Sequence, residues 1–128
     1  MGARFLPMAA QWLRGLRVAL ALGFAAGALF HLASLVRPDL GSPSPPWRHA
    51  IFVAVNLFFG GAMLRPPRWL VVPAAVLVAQ QGYGHGADLL AAARVGRLDV
   101  QSAVTLLVLP FVAWVAVRAM RPVVAVAG

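Results

Sequence analysis

Few side chains in this sequence can do chemistry. There are three histidines, three acids and no cysteine. Thiolate catalysis, disulfides and cysteine-based metal sites are therefore excluded. The histidines are His31, His49 and His85, and the acids are Asp39, Asp88 and Asp99. Gln81, His85 and Asp88 follow one another at i, i+4 and i+7, which places them on one helical stripe. His49 and Asn56 are seven apart and also share a helical face, while Gln101 and Thr105 are four apart. As nitrogen and oxygen donors, His31, His49, His85 and Asp88 form a candidate set for a divalent metal such as zinc or copper, with Asp88 alternatively orienting His85. Haem is a weaker fit, because no two histidines are placed to face each other across a core at one depth. His85 and Asp88 are also the one pair suited to proton transfer, for instance on a lipid-like substrate. No phosphate loop, paired carboxylates or serine–histidine–acid triad is evident. The competing reading of the same side chains is interhelical hydrogen bonding, in which His, Gln and Asn tie membrane helices together.

The elements that must position these residues are set by long apolar runs. Of 128 residues, 62% are hydrophobic and 11% charged, and the mean hydropathy is +0.84. A soluble chain this short has too little interior to hide so much apolar surface, whereas lipid can cover outward faces. A spanning helix needs about 20 mostly apolar residues. Four runs approach that length, and the spacing predicts helices over about 16–36, 47–64, 68–94 and 100–120. The expected fold is all-α, a single integral-membrane domain built as a four-helix up-down bundle. Between the runs lie Arg37-Pro38-Asp39, the stiff Gly41–Pro46 loop, the Pro66-Pro67 turn and Gly96. Ser44 is the predicted cap of the second helix, and Asp99 of the fourth. The glycines at 82, 84 and 86 mark a candidate break in the third helix, and Pro110 a candidate kink in the fourth. Residues 1–16 suit an interfacial segment or an extension of the first helix; a cleaved leader is the rival reading.

All eleven basic residues are arginine, giving a formal charge of +8. They sit at the ends of the apolar runs rather than along a stripe, so they read as topology determinants and not as a nucleic-acid surface. Arg4, Arg14, Arg17, Arg65, Arg68, Arg118 and Arg121 fall on one side, without an acid. Arg37, Arg48, Arg94 and Arg97 fall on the other, with all three aspartates. The positive-inside rule then puts both termini in the cytoplasm of a bacterial inner membrane. On that threading every histidine lies towards the outer side. The expected site is a polar pocket open to the outside, lined by His31, His49, Asn56, Gln81, His85, Asp88 and Gln101, with Arg37, Arg48 and Arg94 at its rim.

The histidine-bearing first run, the Trp47-Arg48-His49 entry to the second and the stretch from Gln80 to Asp88 in the third resemble small bacterial four-helix membrane proteins. The resemblance implies the fold and carries no functional residues. The expected function is non-enzymatic: an accessory subunit or ligand-binding protein. Its expected partners are the lipid bilayer and a larger membrane complex or further copies of the chain.

Overall fold

The computed structural model describes residues 8–37, 39 and 44–120, and every regular element among them is helical. Expectations resting on Arg4, on Pro38, on residues 40–43 and on Arg121 fall outside the described residues. Four helices follow in order: α1 (Met8–Val36), α2 (Pro46–Leu64), α3 (Val71–Arg94) and α4 (Val100–Met120). A 3-10 turn, Arg68–Leu70, leads into α3. The chain divides between Arg65 and Pro66 into two compact units. Each is a helical hairpin: α1 packs on α2, and α3 packs on α4.

Three helices are long and apolar enough to cross a membrane: Ala10–Val36, Pro46–Leu64 and Val100–Met120. Helix α3 is long enough but not apolar enough, because Gln80, Gln81, His85 and Asp88 interrupt it. Less than a third of each apolar stretch is buried within the protein, so most of its surface needs an apolar surrounding.

In the first hairpin the core is built from Leu20, Ala21 and Ala28 of α1 against Phe59 and Met63 of α2. Phe24 and Phe59 stack at 5.5 Å. The helices approach closely at two glycines. A Cβ on Gly27 would lie 2.5 Å from Asn56 Oδ1, and one on Gly60 would touch Phe24 and the Ala21 carbonyl. Lacking side chains there, the chain lets the backbones draw together. At the far end Arg17 reaches from α1 to the last carbonyls of α2, donating from Nε to Met63 O at 2.9 Å and from Nη2 to Leu64 O. Those carbonyls have no partner within their own helix, because Pro66 and Pro67 follow and the helix stops.

Helix α2 begins differently from expectation. Pro45 takes the N-cap position and Pro46 the first helical one, and no side chain caps the helix. Proline's fixed φ and missing N–H suit that first position, so the start does not require Ser44 as its cap. Helix α1 begins at Met8, eight residues before the predicted start, as an extension of the first helix rather than as a separate segment.

In the second hairpin Leu70, Ala74 and Leu77 pack with Leu109, Val112, Val115 and Ala116. The predicted break at Gly82–Gly86 is absent, and α3 runs unbroken through all three glycines. A helical glycine costs only about 0.5–1 kcal/mol relative to alanine, so the helix on either side and its packing on α4 carry the chain through. Helix α3 ends where predicted. Gly96 has φ +68° and donates to Ala93 O, while Arg97 N donates to Ala92 O. This paired closure satisfies two terminal carbonyls and needs a residue tolerant of positive φ. Asp99 caps α4 as predicted, its Oδ1 accepting from Ser102 N at 3.0 Å. Pro110 lies inside α4, which remains one helix.

Candidate functional site

The predicted pocket residues divide between the hairpins. His31, His49 and Asn56 belong to the first, and Gln81, His85, Asp88 and Gln101 to the second. In each hairpin a histidine makes its polar contact across the helix pair, near the segment joining the two helices.

In the first hairpin His31 Nδ1 and His49 Nδ1 lie 3.0 Å apart. His49 is buried and His31 half-buried. Aromatic rings hold the pair in place: His31 stacks on Phe52 at 5.1 Å and meets the edge of Phe30 at 5.3 Å. A neutral imidazole carries one ring N–H, so one Nδ1 donates here and the other accepts. Asn56 lies farther along α2 and donates to Phe52 O of its own helix at 2.7 Å, with its Oδ1 against Gly27. Ser34, also buried, donates to Phe30 O. Beyond α1, Arg37 grips Asp39 with two parallel hydrogen bonds of 3.0 and 2.9 Å in the open. That grip holds the Asp39 carboxyl below the usual carboxylate range. Arg48 is exposed, as a rim residue would be.

In the second hairpin His85 Nδ1 lies 2.9 Å from Ser102 Oγ, and Ser102 Oγ donates to Asp99 Oδ2 at 2.6 Å. Ser102 is 2% exposed. Its single hydroxyl proton is committed to the carboxylate, so towards His85 the oxygen can only accept. This fixes His85 as the Nδ1–H tautomer and leaves Nε2 as the ring's lone-pair nitrogen. The Ser102 hydroxyl and then the Ser102 N–H hold the Asp99 carboxyl below its usual range, so the chain ends in a carboxylate.

The sequence pairs His85 with Asp88, whereas the structure bonds it to Ser102, which in turn is bonded to Asp99. Asp88 is exposed and takes no hydrogen bond among the described residues. Gln101 is exposed as well, its carbonyl accepting from Thr105 Oγ1 at 2.9 Å. Gln81 donates to its neighbour Gln80 at 2.7 Å. Tyr83 is 84% exposed. Arg94 is exposed too. The signal for Ser102 was present: Asp99 and Ser102 stand three apart at a helix start, the spacing at which a cap and the third helical residue meet. Among the described residues no three of His, Asp or Glu come together as a metal-binding group.

The fold and polar contacts define a class only at the coarsest level: an all-helical protein with membrane-length apolar helices and interhelical histidine contacts. Comparison with protein-family models, with curated proteins and with solved structures returns no match.

Proposed function

We propose that the chain is a four-span bacterial inner-membrane protein with both termini in the cytoplasm. It works as a non-enzymatic accessory subunit or ligand-binding protein through the polar ends of its hairpins. The fourth span is argued from packing. The 3-10 turn before α3 packs against α4, Gly82 lies beside Leu109 and His85 reaches Ser102. Helix α3 thus follows α4 along its length, and a bilayer crossed by α4 is crossed by α3 too. Its 24 residues are roughly 36 Å long at ~1.5 Å per residue, enough for the ~30 Å hydrocarbon core. Its polar stripe stays inside only if it faces protein or water, as membrane-embedded polar groups do.

The single observation that carries the reading is the placement of the histidine contacts. Both lie near the connecting segments, which carry Asp39 and Asp99. The threading puts those segments outside, where polar side chains can meet a ligand or partner without crossing hydrocarbon. Exposed Trp12 and Trp69 suit the inner headgroup layer and Trp47 the outer one.

The absence of cysteine makes the test direct. In intact cells, Leu98→Cys is expected to react with a membrane-impermeant thiol reagent, and a reporter fused after Gly128 is expected to stay cytoplasmic. A protected Leu98→Cys with an exported reporter would mean that α3 does not cross. Purification in mild detergent should bring down a stoichiometric membrane partner or a bound small molecule. A bare monomer from native membranes would refute the accessory and binding role.

A further inference from the structure

We propose that the His31–His49 pair is a two-nitrogen chelating site for a divalent transition metal, copper or zinc. It rests on the first hairpin alone and is independent of the number of spans. The argument begins with the separation of the two Nδ1 atoms, 3.0 Å. Histidine nitrogens bind zinc at about 2.0–2.1 Å, and two such bonds put the nitrogens about 3.3 Å apart at a tetrahedral angle. A right angle, as between neighbouring ligands of tetragonal copper, brings them to about 2.9 Å. The observed gap lies between these, so the separation matches a chelate, and each ring has only to turn its Nδ1 off the Nδ1–Nδ1 line to face a shared cation.

The donor type narrows the metal. Two neutral imidazoles suit copper, zinc or nickel, and copper binds most tightly in the usual order, whereas magnesium and calcium want oxygen. The nearby carboxylate, Asp39, is committed to Arg37 and adds no hard ligand. The rings are already placed by Phe52, Phe30 and the burial of His49, so little freedom is lost on binding. The protons balance within the pair. In the empty site one ring carries Nδ1–H and the other Nε2–H. When the metal enters, the donor's proton moves to its own Nε2, so both Nδ1 lone pairs face the cation and no net proton is released. Two protein ligands leave the remaining positions to water or an external ligand, as in sites that exchange what they hold.

The test uses the full chain in lipid nanodiscs, purified with a tag that contains no histidine. Copper(II) is titrated as a simple salt and followed by electron paramagnetic resonance. One copper per chain is expected, with hyperfine structure from two nitrogens. His31→Ala and, separately, His49→Gln should each weaken binding on the order of tenfold or more and lose the two-nitrogen signal. His85→Ala should leave both unchanged. His31 is the half-buried partner, so His31→Ala reads the site even if His49→Gln does not fold. Absence of one-to-one binding, or a two-nitrogen signal that survives His31→Ala, would overturn the proposal.

Discussion

Substituting Gly27 by alanine tests whether α1 and α2 pack as described. A Cβ at this position would sit 2.5 Å from Asn56 Oδ1 and 3.1 Å from its Cγ. Ordinary contact begins near ~3.4 Å, so the amide must retreat by roughly 0.9 Å. Asn56 is short and tied by Nδ2 to Phe52 O at 2.7 Å, so it cannot swing aside without stretching that bond. Overpacking costs about 1–3 kcal/mol, and a lost interhelical or local bond about 0.5–1.5 kcal/mol. Replacing a helical glycine by alanine returns about 0.5–1 kcal/mol. The net expectation is a loss of about 0.5–4 kcal/mol, centred on ~2 kcal/mol. Gly23→Ala is the control, since nothing lies within 4 Å of its Cβ position, and it should be neutral or slightly stabilising. The decisive measurement is a double-mutant cycle with Asn56→Ala, read by reversible unfolding in mixed micelles. The gain in helix propensity appears in both backgrounds and cancels, which isolates the clash. In the Asn56→Ala background, Gly27→Ala should lose its penalty, a coupling of about 1.5–4.5 kcal/mol. An equal cost in both backgrounds would refute the close approach of α1 to α2 at this level.

Arg17→Ala removes both donors from the terminal carbonyls of α2 and should destabilise the first hairpin by about 1–2 kcal/mol in the same assay, with Arg17→Lys recovering about half. Loss of no stability in Arg17→Ala would mean that water serves those carbonyls equally well. Asp99 and Asp39 both have depressed carboxyl pKa values in the folded chain. Their contribution is therefore complete above the ordinary value of 3.8 and is lost as pH falls from there through the folded values. Asp99→Asn should flatten the acid limb of a stability–pH curve, and Asp39→Asn should flatten it separately; an unchanged limb in both would show that the pairings carry no weight. Ser102→Ala removes the acceptor that fixes His85 as the Nδ1–H tautomer. Nitrogen NMR of labelled histidine should then show the ring shifting towards Nε2–H, while an unchanged spectrum would place the tautomer's cause elsewhere.

The helices were legible because lipid-length apolar runs and turn residues give the same answer. Pro66-Pro67, Gly96 and Asp99 each end or start a helix for a reason visible in the residue itself. The limits of that legibility have physical causes. Three alternate glycines weaken a helix locally, but α3 continues through Gly82, Gly84 and Gly86 because it packs against α4, which residue type alone does not reveal. The site was readable as a set of residue types and only partly as pairs. Periodicity places His85 and Asp88 on one stripe of one helix, yet it says nothing about the neighbour across the gap. His85 finds Ser102 on α4, and the aspartate reached through that serine is the cap residue Asp99. His31 and His49 are eighteen residues apart with a proline-rich loop between them, so only the register of α1 against α2 brings their Nδ1 atoms together.

The two histidine contacts differ in which ring nitrogens they leave open to a cation. The second is a one-way chain: Asp99 takes the serine proton, the serine must then accept from His85, and His85 is left with one fixed tautomer. Removing that Nδ1 proton to admit a metal would leave the serine oxygen facing a lone pair, with its own hydrogen already committed. The first contact has no such direction. Either ring can donate, because the partners are chemically alike, and moving one proton to the outer nitrogen turns a hydrogen bond into two converging lone pairs. Symmetry of the donor and acceptor is what makes the His31–His49 end adaptable and the His85 end fixed. A metal at His85 would have to bind Nε2 and leave the Nδ1–H bond to Ser102 in place, so a metal bound through His85 Nδ1 would contradict the hydrogen-bond directions of the second hairpin.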